Sequence, residues 1–158
     1  MRISARTLGW YHIAGAVAGG IVTTWAYLRG AALPGGSLET SAMPFALALS
    51  AGLGLLRGRP RARQLAYLTQ LLQIPMVVLP GISWTFVAGV IASITLNRHG
   101  LRLFTGLQAA WLVGTGPAEG FPVSLGLNLA PVAVIVVLRR SRLATPPAVP
   151  EPLSRPAA

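Results

Sequence analysis

Along the chain, four apolar runs and one alternating segment are separated by short polar breaks. The first run, residues 8–28, contains no charged side chain and ends at Arg29-Gly30. Crossing the hydrocarbon core of a bilayer takes about 20 apolar residues, so this run predicts a transmembrane helix. Arg2 and Arg6 precede it as in a signal peptide. The run is longer than the h-region of about 7–15 residues that such peptides carry, which predicts an uncleaved span. The break over residues 31–41 holds Pro34, Gly35, Gly36 and Glu39, which favour turns. The second run, 42–56, is short, and Pro44 near its start suits a first helical turn.

Arg57, Arg59, Arg61 and Arg63 follow, interleaved with Gly58 and Pro60. Four arginines in one short loop predict a cytoplasmic side if the flanking runs are spans. A third run covers 64–80. Gln64, Tyr67, Gln70 and Gln73 recur at three-residue spacing within it, on one helical face, and Pro75 predicts a kink. The last run, 121–138, contains Asn128 and Pro131 and ends at Arg139, Arg140 and Arg142.

Residues 82–115 read differently. Trp84, Phe86, Ala88, Val90, Ala92, Ile94 and Leu96 alternate with small or polar residues, and a second alternating run follows the turn Asn97-Arg98-His99-Gly100. Period-two alternation around a turn predicts a β-hairpin. The competing pattern is Gly106, Ala110 and Gly114 at four-residue spacing, which suits a helical hairpin. The favoured expectation is therefore a membrane α-helical protein: four transmembrane helices with an extracytoplasmic β-hairpin between the third and fourth. The alternative is six short transmembrane helices. Residues 1–142 form one membrane domain in this reading. The Pro-rich tail 143–158 is expected to be extended and disordered, and both termini are expected to face the cytoplasm.

Composition pushes the same way. Hydrophobic residues make up 53% of the 158, charged residues only 10%, and mean hydropathy is +0.63. Soluble domains carry about 25% charged residues. All 13 basic residues are arginine, there is no Asp, and the acids are Glu39, Glu119 and Glu151, giving a net charge of +10. The arginines sit between apolar runs rather than on one stripe. They are expected to set topology and meet lipid headgroups (Arg57, Arg59, Arg61, Arg63, Arg139, Arg140, Arg142), not nucleic acid. Arginine as the sole base, with abundant Ala, Gly and Pro, fits a GC-rich bacterial genome, and the expected location is the inner membrane.

Candidate chemistry is sparse. Without cysteine there are no disulfides, thiolate metal sites or thiol nucleophiles. No P-loop, dinucleotide fingerprint, zinc motif or G-x-S-x-G elbow is present. His12, beside Trp10 and Tyr11, is either an interfacial side chain or an axial ligand for a tetrapyrrole. His99 reads as part of a turn. No cofactor or metal is otherwise expected. Gln70, Gln73 and Asn128 form an expected intramembrane polar cluster, bonding between helices or lining a small cavity. Gly15 and Gly19, with Gly52 at the Ala48–Gly52 spacing, suit close helix approach. The function expected from this inventory is a non-catalytic accessory or structural subunit that packs on other membrane proteins or on itself. The alternatives are a passive pore or small-molecule or lipid binder, and a cofactor-binding subunit using His12.

Overall fold

The computed structural model describes residues 4–30, 38–80, 82–114 and 123–140. Four helices, α1 (Ala5–Leu28), α2 (Leu38–Leu56), α3 (Ala62–Leu72) and α4 (Ala130–Arg140), accompany four strands. The strands are β1 (Pro75–Leu79), β2 (Ile82–Asn97), β3 (Gly100–Gly114) and β4 (Ser124–Asn128), all paired antiparallel.

This architecture corrects the membrane reading. Among the described residues no helix is both long and apolar enough to cross a membrane, so neither four nor six transmembrane helices are present there. The multipass topology and inner-membrane location inferred from them fall as well. The reasons are local. α1 is 24 residues long, but Tyr11, His12, Thr23, Thr24, Trp25 and its glycines dilute its apolar character. α2 starts at Leu38, ahead of the apolar run, and so takes in Glu39 and Ser41.

The third and fourth runs are not single helices. Proline has no N–H and pushes the preceding residue out of helical geometry. Accordingly α3 stops at Leu72 and Pro75 opens β1. The Trp84 indole donates to the Leu72 carbonyl at 3.1 Å, closing that helix end. Pro131 sits in the first turn of α4, where its lost N–H costs nothing, and the preceding residues Ser124–Asn128 form a strand. The predicted tail 143–158 and loop 31–37 lie outside the described residues.

β2 and β3 pair without interruption from Ser83↔Gly114 to Asn97↔Gly100. The ribbon closes through Arg98-His99, with Gly100 at φ +104 and the Asn97 side chain accepting from the His99 N–H at 2.8 Å. It does not stand apart as an isolated hairpin. β1 pairs with the start of β2 (Met76↔Thr85) and β4 with its end (Ser93↔Asn128), while β1 and β4 pair with each other. Two straight strands that each oppose a third must run in the same direction, so three cannot be mutually antiparallel. β2 therefore bends strongly between Thr85 and Ser93, and β3 follows it. Gly89 lies within the bend at φ +120, a conformation side chains with a Cβ rarely adopt.

α1 packs into this bend. Its buried face, Leu8, His12, Gly15, Ala16 and Gly19, recurs at three- and four-residue spacing. A Cβ on Gly15 would come within 2.5 Å of the Ala88 carbonyl oxygen, and one on Gly89 within 3.0 Å of the Tyr11 ring. α2 runs antiparallel to α1, with Gly52 against the Gly9 carbonyl and Gly19 against the Phe45 ring. One core cluster joins Leu8, Ala51, Leu55, Ala62, Ala66 and Leu138. A second joins Phe45, Phe86 and Ala88, the two phenyl rings meeting edge to face at 5.7 Å.

Two glycine replacements on α1 should act in opposite directions. Gly15→Ala forces α1 off the β2 backbone and is expected to destabilise by about 1–3 kcal/mol. Gly20→Ala adds a methyl group with nothing within 4 Å and should stabilise by about 0.5–1 kcal/mol. Denaturant unfolding of both variants checks this, and equal effects would contradict the close α1–β2 contact.

Candidate functional site

Two features stand out above the fold: a buried polar seam along the bend of β2, and an apolar surface left open on β3. The seam exists because of the bend. Between its paired ends, β2 has no strand on the edge opposite β3 among the described residues. N–H groups two residues apart point to the same edge of a strand, so those of Ala88, Val90 and Ala92 all face the gap. An unpaired buried N–H costs about 1–3 kcal/mol. Gln73 Oε1 accepts from the Ala88 N–H at 2.9 Å, and Asn128 Oδ1 accepts from the Ala92 N–H at 3.0 Å and from the Ala130 N–H at 3.2 Å. The Tyr11 hydroxyl lies by the Val90 backbone between them. That backbone lowers its pKa, though burial raises it by more. The phenol makes no hydrogen bond of good geometry among the described residues.

Gln73 and Asn128 thus do not meet each other. Each stands in for a missing strand at one point of the β2 edge. Gln73 also donates to the Thr69 carbonyl at 3.3 Å, and the Asn128 backbone N–H donates to the Ile74 carbonyl at 2.8 Å. Gln70 turns the other way, toward His12, with Gln70 Nε2 3.5 Å from His12 Nε2. Neutral imidazole with its proton on Nδ1 accepts that N–H. Rotating the amide by 180° offers Oε1 to the other neutral tautomer, so the pair serves either. His12, Gln70, Gln73 and Asn128 are all almost fully buried, and Gln70 Oε1 and Asn128 Nδ2 have no partner among the described residues.

Burial lowers the His12 pKa from 6.5 to about 4, so the ring is neutral near pH 7. No carboxylate faces it among the described residues, and no group of three or more His, Asp or Glu gathers there. The seam's role is therefore to satisfy backbone groups and hold α1, α3 and β4 on β2. Sequence reading missed Tyr11 here. The available signal was Gly89 inside an alternating run, since an interior strand glycine often marks close approach of another group.

The arginines divide. Arg63 donates to the carbonyls of Leu138 and Arg139, the latter at 3.1 Å, capping the C-terminus of α4. Arg57, Arg59, Arg61, Arg139 and Arg140 are exposed. Gly15 contacts β2, whereas Gly19 and Gly52 lie between α1 and α2. Arg142, Glu119 and Glu151 lie outside the described residues.

The second feature is the far half of the β2–β3 ribbon. Residues 100–107 are exposed on both faces, including Leu101 (67%), Leu103 (75%), Phe104 (54%) and Leu107 (85%). Among the described residues β3 is also the sheet's edge. Because Ala88 and Ala92 turn their N–H groups away from β3, the intervening odd-numbered residues of β2 bond to it. The register then directs the N–H groups of Leu101, Leu103, Thr105 and Leu107 outward. A long apolar edge with open N–H groups is a template for another strand.

Two measurements test the seam. Gln73→Ala leaves the Ala88 N–H unpaired and should cost about 1–3 kcal/mol, with faster hydrogen exchange at that amide. His12 binds its proton more weakly folded than unfolded, so stability is complete above the unfolded pKa of 6.5 and falls as pH drops toward about 4. The loss is expected to reach about 3 kcal/mol. His12→Leu should flatten that pH dependence, and an unchanged slope would contradict a buried neutral imidazole. In comparisons with known proteins, no family model, no curated protein and no solved structure matches this chain.

Proposed function

We propose that this chain is a non-catalytic accessory subunit that docks on a partner polypeptide through β3. The carrying observation is the exposed apolar edge at residues 100–107, open on both faces. A two-stranded ribbon gains little from itself in water, and contiguous apolar surface of this kind marks contact sites. A strand added to β3 pairs with the outward N–H groups and covers Leu103 and Leu107 on one face and Phe104 on the other. This is β-strand addition, in which backbone bonds supply affinity and alternate side chains supply specificity. Arg102 is the one charged residue in β3 and sets a preference for a partner strand with an acid nearby.

The chemistry inventory supports the same reading. Among the described residues the acid is Glu39, which is exposed, His12 is neutral and enclosed, and His99 is held in the hairpin turn by Asn97 and Arg98. General acid–base work needs a titratable group within reach of a substrate, and none is set in a cleft.

The test is a photo-crosslinking residue at position 103 or 105, introduced in cells that carry the protein natively. A discrete crosslinked partner, whether another protein or a second copy, is expected. Thr105→Pro removes an outward N–H while sparing the ladder to β2, and Leu107→Lys charges the face. Each should reduce capture at least tenfold with the unfolding midpoint little changed. Capture that survives both substitutions would refute β3 as the docking edge.

A further inference from the structure

A separate apolar groove runs between the C-terminal half of α1 and the N-terminal half of α2. It is an open groove of about 590 Å³, lined by Gly20, Thr24, Trp25 and Leu28 from α1 and by Phe45 and Leu49 from α2. Its size falls in the range of about 300–1,000 Å³ usual for small-molecule sites. From Ala16 to Leu28 the wall is about 18 Å long at 1.5 Å per residue. That length accommodates an extended alkyl chain lying along the helix pair.

One end is charged. The Arg29 guanidinium stands over the Trp25 ring, 5.2 Å from its centroid. The indole that walls the groove thereby fixes a cation at its mouth. Glu39, in the first turn of α2, lies at the same end of the helix pair. No ion pair joins it to Arg29 among the described residues, and the edge of the guanidinium stays available for a bidentate anion. His12 and the polar seam do not line this space.

We propose that the groove binds the alkyl chain of a monomeric anionic amphiphile, a long-chain carboxylate, with Arg29 as the headgroup contact. An apolar slot alone accepts any greasy molecule. A guanidinium held at one end selects an anion and orients the chain tail-inward. This site is independent of β3 and of the docking function proposed for it.

The test uses the full chain titrated by calorimetry with hexadecanoate, hexadecanol and hexadecylammonium, each below its micelle concentration. Hexadecanoate should bind one per chain and tightest of the three. Arg29→Gln should weaken hexadecanoate roughly tenfold and leave hexadecanol unchanged. Gly20→Leu projects a side chain into the groove from a position with nothing within 4 Å, so the fold should persist while both ligands are lost. Wild-type affinity in Gly20→Leu would overturn the assignment, as would equal binding of the ammonium or an absence of saturable hexadecanoate binding. Loss of binding in Leu107→Lys but not in Gly20→Leu would move the ligand to β3 and likewise overturn it.

Discussion

Mutual antiparallel pairing of β1, β2 and β4 is the constraint from which the rest of this structure follows. It obliges β2 to bend, and a bent strand exposes part of one edge that no neighbour can reach. Three consecutive outward N–H groups at that edge need acceptors. Gln73, just past the end of α3, and Asn128, at the end of β4, supply them for the outer two, Ala88 and Ala92. Both elements are thereby fixed to β2 by polar contacts as well as by packing, and α1 is drawn in where Gly15 and Gly89 leave the backbone bare.

The same constraint separates the two ends of the β2–β3 ribbon. Near the bend, Phe86, Val87, Ala88 and Ile91 are enclosed by helices. Toward the turn, β4 pairs along one edge but no helix among the described residues covers β3, and its large aliphatic side chains stay open. The seam and the docking surface are thus two outcomes of one geometry. The groove between α1 and α2 has a different origin. Small residues on both helices allow close approach at Gly9 and Gly52, and farther along the Phe45 ring packs against Gly19 and lines the groove.

Much of the local structure was written in the sequence, whereas the expected membrane-spanning helices are not present among the described residues. Alternation over residues 82–113 coincides with β2 and β3, and Asn97–Gly100 with their turn. Pro75 and Pro131 carried the information that broke the third and fourth apolar runs, but as kinks in long helices they implied spans. Read instead as boundaries, they separate α3 from β1 and β4 from α4. The few charges and the exposed Leu, Val and Trp side chains suggested lipid, because composition does not distinguish apolar surface meant for lipid from that meant for another chain or ligand. Gln73 and Asn128 were recognisable as buried amides. That they would serve the backbone of β2 depended on a bend created by pairings between strands remote in sequence, which no local pattern encodes. The Trp25–Arg29 pair spans a helix end at four-residue spacing, a signal visible in the sequence but without meaning until α2 is set beside it.

The order of these strands along the chain has a kinetic consequence. β4 is made after β1, β2 and β3, yet it is the piece that joins β1 to the far end of β2. During synthesis the β2 edge opposite β3 must therefore wait unpaired over residues 93–97 until Asn128 has left the ribosome. Contacts between remote segments form slowly, and unpaired edges invite wrong partners in the interval. A nascent chain of this design gains from meeting its rightful neighbour, or a holding chaperone, while translation is still under way.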